Sequence, residues 1–231
     1  INFIHIYIGK ENKTFFDTKK DTLVLPFAES ENFLNTTLKK LETTGFAMAK
    51  VSLVNIQKKK KFIIADLKII LEKQRQLNDV IITGYDKFPK GHKKNIKRLY
   101  RNKAFNQQNL EKIYNDFQQF RFVKQTKYPE ILFSTDSTKV YVYLEKAKSN
   151  TFDGYIGFTN DEEKKLIFSG YLDLVLNNAL NSGEKLSLYW KSDGQDQKTF
   201  NLGLELPYIF KSPMGLKAQL NIFKQDSTFQ N

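Results

Sequence analysis

From residue 149 onward, apolar side chains fall on every second position, run after run, and no helical period interrupts them. Phe152, Gly154, Ile156 and Phe158 share one side of the first run, and Leu166, Phe168, Gly170, Leu172, Leu174 and Leu176 share one side of the second. Leu186, Leu188 and Trp190 follow, then Phe200, Leu202, Leu204 and Leu206, then Leu216, Ala218, Leu220 and Ile222. Successive side chains of a strand point to opposite faces, so the pattern predicts five strands with one oily face and one polar face. The polar stretches NDEEKK, NNALNSGE, SDGQDQ and KSPMG separate the runs as turns would. An up-and-down antiparallel meander of this kind must cover its oily face with something.

Periodicity alone leaves two architectures open. In a soluble β-sandwich a second sheet covers the face; in a transmembrane barrel lipid does. Three details favour the membrane. The runs are about nine to eleven residues long, the length a tilted strand needs to cross a bilayer. Tyr155, Trp190, Tyr208 and Phe210 fall near predicted strand ends, where an aromatic girdle would sit. The strands stop at STFQN without a second set to pack on the first, and an uncovered apolar sheet in water is an aggregation hazard. Barrels usually have an even strand count, so five strands read as the opening part of one, and the chain as a truncated piece.

The first part of the chain differs in composition. Residues 148–231 hold 9 lysines and 10 acids, whereas residues 1–147 carry a balance of +13 within the overall net charge of +12. This break places a domain boundary near Lys148. Residues 1–75 read as strand, strand, helix and β-hairpin. Ser30 is the expected N-cap of the helix, Phe33, Leu34, Leu38 and Leu41 its buried face, and Gly45 its C-cap. Residues 76–147 read as strand, two helices and further strands, with Pro89 starting one helix and a second opening after Asn106. Ile96, Leu99 and Tyr100 should face inward from the first, and Leu110, Ile113, Tyr114, Phe117 and Phe120 from the second. The expected fold class is therefore α+β, two helices on a small mixed sheet, followed by an all-β antiparallel meander.

Catalytic chemistry finds little to use. The chain has no cysteine and 2 histidines. His5 lies in an apolar strand and His92 in a lysine-rich loop, too far apart to frame a metal site. No phosphate-binding loop, zinc-protease motif or nucleophile elbow occurs. Asp161, Glu162 and Glu163 read as a solvated turn. A non-enzymatic protein without cofactors is expected. Lysines and arginines crowd residues 87–103, and Lys93, Lys94, Lys97, Arg98 and Arg101 are candidates for contact with an anionic surface, the alternative being a solvated face. A nucleic-acid surface would need exposed aromatics among them, and Tyr100 and Phe105 belong in the core instead.

The segments GYDKFPKGHKKNIKRLYRNKAFNQQNLEKIYNDFQQFRFV, EILFSTDSTKVYVYLEKAKSNTFDGYIGF, GYLDLVLNNALNSGEKLSLYW and LPYIFKSPMGLKAQLNIFKQDSTF resemble the BamA/TamA superfamily of outer-membrane assembly and translocation proteins, in a Bacteroidota-like form. By this resemblance 76–147 corresponds to the last POTRA domain, 148–231 to the first strands of the transmembrane β-barrel, and 1–75, more loosely, to a preceding POTRA domain. The family's long surface-loop signature and its closing strand are absent from the chain. The resemblance implies a location in the outer membrane, with the N-terminal domains in the periplasm. It implies unfolded outer-membrane client polypeptides, outer-membrane lipid and accessory lipoproteins as partners. POTRA sheets would take an extended client as an added edge strand, with edges near residues 122–126 and 51–56 as candidates. Phe152, Gly154, Tyr155, Ile156, Gly157 and Phe158 would form the seam strand that templates insertion; Gly154 and Gly157 suit either a seam that opens or simple barrel curvature. Leu172, Leu174, Leu186, Leu188, Leu202, Leu204, Leu220 and Ile222 would face lipid. A soluble periplasmic adaptor with a C-terminal sandwich, and a translocator of one dedicated passenger, are the alternatives.

Overall fold

The computed structural model describes residues 2–160, 166–194 and 197–225. The first sheet contains β1 (Phe3–Tyr7), β2 (Thr22–Pro26), β3 (Lys50–Lys58) and β4 (Phe62–Ile70) in the order β2-β1-β4-β3. Strand β1 runs parallel to β4, and the other pairs are antiparallel. The alternation of Ile4, Ile6 and Ile8 with that of Ile63, Ala65 and Leu67 puts all six on one face, where they form a buried core.

Helix α1 (Ser30–Thr43) packs Phe33 and Leu34 against that core and buries Leu41. Two expectations fail here. Ser30 is the first helical residue, not the cap, and its hydroxyl donates back to the Phe27 carbonyl at 2.7 Å. A 3-10 turn at Phe27–Glu29 has already begun the helical path, so no side-chain cap is used. Thr37, not Leu38, fills the second inward turn; its hydroxyl is satisfied by the Phe33 carbonyl at 2.8 Å, which lets it be buried. The C-terminus behaves as expected. Gly45 has φ 99°, its amide donates to the Glu42 carbonyl, and the Phe46 amide reaches the Leu41 carbonyl, the paired bonds of a Schellman end.

The second sheet has the order β5-β8-β6, formed by β5 (Leu77–Thr83), β6 (Val123–Gln125) and β8 (Thr138–Lys146), with β7 (Glu130–Phe133) also paired to β8. Helices α2 (Lys90–Tyr100) and α3 (Gln107–Gln118) lie between β5 and β6 in the chain. Asn106 caps α3, its side-chain oxygen accepting the Asn109 amide at 2.8 Å. Leu110, Ile113 and Phe117 are buried, as are Ile96 and Tyr100 of α2, but Leu99 is exposed.

The third sheet is the meander: β9 (Thr151–Asn160), β10 (Leu166–Asn177), β11 (Lys185–Ser192), β12 (Gln197–Leu206) and β13 (Leu216–Gln225), each antiparallel to the next. The expected turn at Asp161, Glu162 and Glu163 lies outside the described residues. By packing, the chain divides into two units. One comprises Ile1–Asp79, Tyr100–Ile113 and Ile131–Val140, and holds the isoleucine-rich core. The other comprises Val80–Leu99, Tyr114–Glu130 and Tyr141–Asn231, and holds the meander together with most of α2.

Candidate functional site

The register of the meander fixes its two faces. Phe152 stands opposite Leu174, Leu174 opposite Leu188, Leu188 opposite Leu202 and Leu202 opposite Leu220, a continuous apolar row across all five strands. A parallel row runs through Gly154, Leu172, Trp190, Phe200 and Ile222, and a third joins Leu176, Leu186, Leu204 and Ala218. All eight leucine and isoleucine positions expected to face lipid therefore lie on one surface. No second sheet covers it among the described residues, and Phe152 and Phe158 are 71% and 75% exposed. The opposite face carries Asp153, Asp173, Asn201 and Lys217, with Tyr155 set edge-on against Tyr171 at 5.3 Å. Tyr155 is thus mid-strand on the polar side, which removes it from the expected girdle.

All six residues expected in the seam strand lie on β9, whose described pairing is with β10 alone. Its two glycines differ. Gly154 has φ 154°, and a Cβ there would fall 2.4 Å from the Tyr171 carbonyl oxygen. Gly157 has no such constraint, and its Cβ would meet only Ser169, the hydroxyl at 3.3 Å and the carbonyl oxygen at 3.8 Å. On β10 Gly170, which stands opposite Ile156, two positions from the Gly154–Leu172 pair, has φ 131° and a Cβ position 2.1 Å from the Tyr155 carbonyl oxygen. Sequence reading places Gly170 on the apolar side of its strand but gives it no role, although it breaks a row of large apolar residues. Together Gly154 and Gly170 let the β9 and β10 backbones adopt a conformation closed to other residues.

The two turns at the chain-entry end of the meander are the least expected part of the structure, because they pack on α2 and its leading loop. In the β10–β11 turn Asn178 is fully buried with φ 54°. Its amide nitrogen donates to the Tyr85 hydroxyl at 2.9 Å, and its side-chain oxygen accepts the Gly183 amide at 2.8 Å. Glu184 accepts from the Leu180 and Ser182 amides and from the Ser182 hydroxyl; these bonds hold its carboxyl below the usual carboxylate range despite burial, which alone would raise it. Asn177 ties the same turn to the incoming chain through Asn150 and the Ser149 carbonyl.

His92 is not in a loop. It sits on α2, 7% exposed, with Phe120, Tyr208, Phe122 and Phe88 around its ring at 4.6, 4.8, 5.6 and 6.2 Å. Neither ring nitrogen has a hydrogen-bond partner meeting ordinary geometry. Burial lowers its pKa to about 4, an effect the adjacent Gly183 backbone opposes only in part. Gly183 is the residue that fits there, because a Cβ would lie 2.2 Å from Nε2. In the β12–β13 turn Tyr208 rests on Gly91 of α2 and accepts a hydrogen bond from Asn95 at 2.9 Å. Tyr208 therefore belongs to this packing and not to a girdle, whereas Phe210, two residues on, is 90% exposed.

Two grooves flank these contacts. One, of about 580 Å³, is lined by His92, residues 119–122 and the bases of both turns, with a Glu205–Lys217 ion pair of 3.0 Å among its walls. The other, of about 490 Å³, runs along Lys90, Lys94 and Arg98 opposite Tyr208, Ser212 and Pro213. Of the five cations expected at an anionic surface, Lys94 and Arg98 line it; Lys93, Lys97 and Arg101 do not. The two expected peptide-accepting segments, β3 and β6, are both at sheet edges in the order of their strands. Strand β3 is bulged between Val54 and Gln57, with Asn55 at φ 52° bonded to Asp66 at 2.7 Å. Among the described residues no group of three or more His, Asp or Glu could hold a metal ion, and no helix is long and apolar enough to cross a membrane.

No protein-family model matches the sequence, and no curated protein does either. Solved structures do. BamA from Haemophilus ducreyi, in a crystal structure lacking POTRA domains 1–3, aligns over 96% of this chain and 42% of its own length, with a TM-score of 0.65 and 13% identity. CdiB from Acinetobacter baumannii aligns over 90% of this chain and 42% of its own, at TM-score 0.47 and 13% identity. CdiB from Escherichia coli aligns over 88% and 39%, at 0.41 and 15%. This chain spans about two fifths of the length of the BamA structure it matches, and shares with that part a mixed α/β arrangement leading into an antiparallel sheet.

Proposed function

We propose that this chain is part of an outer-membrane protein assembly factor, working by binding and templating and not by catalysis. In this reading 1–75 and 76–147 are POTRA-like domains in the periplasm, and 148–231 supplies the first strands of a β-barrel. The observation that carries it is the meander itself. Five antiparallel strands of eight to twelve residues share one apolar face that no sheet among the described residues covers, and the described pairing of the first strand is with β10 alone. A ten-residue strand is about 33 Å long, enough to cross the hydrocarbon layer at a tilt. A buried sandwich face would be covered, so the soluble adaptor is the weaker reading. The BamA-like fold supports the assignment at the level of fold.

Mechanistically, an edge strand offers a row of unpaired amides and carbonyls that any extended polypeptide can satisfy, largely regardless of sequence. Strand β9 offers such an edge at the meander, and β3 and β6 do so in the smaller sheets. The bulge in β3 shortens its usable ladder. The test is site-specific photo-crosslinking from Phe152 and Phe158 in the complete protein. Adducts with unfolded outer-membrane clients are expected there, and not from Thr199 in the middle of the sheet. An active protein whose β9 captures no client would overturn the templating role.

A further inference from the structure

The 490 Å³ groove has a composition that the client-binding role does not use. Lys90, Lys94 and Arg98 recur every four residues, which places them on one stripe of α2, and all three are exposed. None of the eight residues lining the groove is acidic. Lys90 and Gly91 belong to the first turn of the helix, where backbone amides lack intrahelical acceptors and the helix dipole adds positive potential. Asn95 holds both walls together: its amide donates to Tyr208 while its oxygen accepts from Arg98 at 2.7 Å, fixing the guanidinium beside the opening.

The opposite wall is the β12–β13 turn, which carries exposed apolar residues. Phe210 and Met214 are 90% and 60% exposed, and the strands that enter and leave this turn end in Leu206 paired with Leu216 on the apolar face. A cationic groove next to exposed apolar residues, at the end of an apolar sheet, matches an amphiphile with an anionic head. We propose that this groove binds the phosphate-bearing headgroup of an anionic phospholipid, with Lys90, Lys94 and Arg98 as its cationic contacts. The proposal rests on the reading that the apolar face meets lipid. A soluble phosphate compound would satisfy the three cations, but it would have no use for Phe210 and Met214.

The test is the chain reconstituted into phosphatidylcholine vesicles with and without phosphatidylglycerol, then extracted and weighed by native mass spectrometry. Wild type should retain phosphatidylglycerol over phosphatidylcholine. The triple variant Lys90→Gln, Lys94→Gln, Arg98→Gln should lower that preference at least tenfold. Lys58→Gln, Lys60→Gln, Lys61→Gln, which removes equal charge at the β3–β4 turn, should keep it. Equal loss in both triples would overturn the site, as would displacement of the lipid by inorganic phosphate at matching concentration. Wild type that enters the vesicles and shows no preference would overturn this proposal alone. Failure to enter phosphatidylcholine vesicles at all would overturn the lipid-facing reading, and this proposal with it.

Discussion

His92 shows how one side chain couples α2 to the turns of the meander. Its ring fills an aromatic pocket in neutral form, and protonation there would bury a charge among phenylalanines. The folded pKa of about 4 lies below the ordinary 6.5, so between those values the unfolded chain binds the proton more readily than the folded one. Stability is therefore full above pH 6.5 and falls as the pH drops toward 4. At pH 5 the loss from this residue should be about 2 kcal/mol. His92→Phe keeps an aromatic ring in the pocket and removes the titration. Melting of the two proteins in detergent at pH 7 and pH 5 should show a smaller acid shift for the variant, and equal shifts would sink the assignment. The expectation of a loop at this residue conflicts with the helix expected to start at Pro89, and Gly91, a poor helix former, is the one local signal on the loop's side. Tertiary packing overrides that signal, since Gly91 leaves the space in which Tyr208 sits. The burial of Asn178 was equally hidden, although the Asn and Gly content of NNALNSGE marks left-handed turn positions, and Asn178, Asn181 and Gly183 all adopt them.

At the scale of elements the sequence was far more legible. A two-residue period depends only on strand geometry, so Leu172, Leu174, Leu186, Leu188, Leu202 and Leu204 could be assigned to one face without knowing the fold. The start of α1 was less legible, because Ser30 has the chemistry of an N-cap but the 3-10 turn before it has already begun the helical path. That Gly154 and Gly170 lie two positions apart across the β9–β10 ladder needs the register of two strands, which no single strand reveals. The face assignment makes a sharp prediction. Leu202→Lys puts an ammonium mid-strand on the row that joins Leu188 and Leu220, and at mid-bilayer this costs about 2 to 4 kcal/mol. Membrane insertion of the complete protein, read by heat-modifiable migration or protease protection, should fall sharply for Leu202→Lys. Asn201→Lys, on the polar face, should insert normally; equal insertion of both would remove the lipid-facing assignment.

For the whole molecule, charge and greasiness are divided along the chain: +13 in residues 1–147, and near neutrality with an uncovered apolar sheet in 148–231. Such a chain is a polar part joined to an amphiphilic one, and its behaviour in water depends on what covers the sheet. The apolar row from Phe152 to Leu220, exposed at both ends and half-buried between them, exceeds the scattered apolar residues tolerated on soluble surfaces. Two routes cover it: self-association through the sheet, or an amphiphile. In detergent-free buffer this chain should therefore sediment as a broad range of oligomers. Neutral micelles should convert it to one species, a single chain plus bound detergent, because they replace the missing lipid without supplying charge. A soluble adaptor would give the opposite result, one sharp monomer unaffected by micelles, since its apolar face would already be packed. The +13 part provides the internal control: if oligomers formed through charge, added salt would disperse them, whereas association through the apolar sheet persists or strengthens as salt rises.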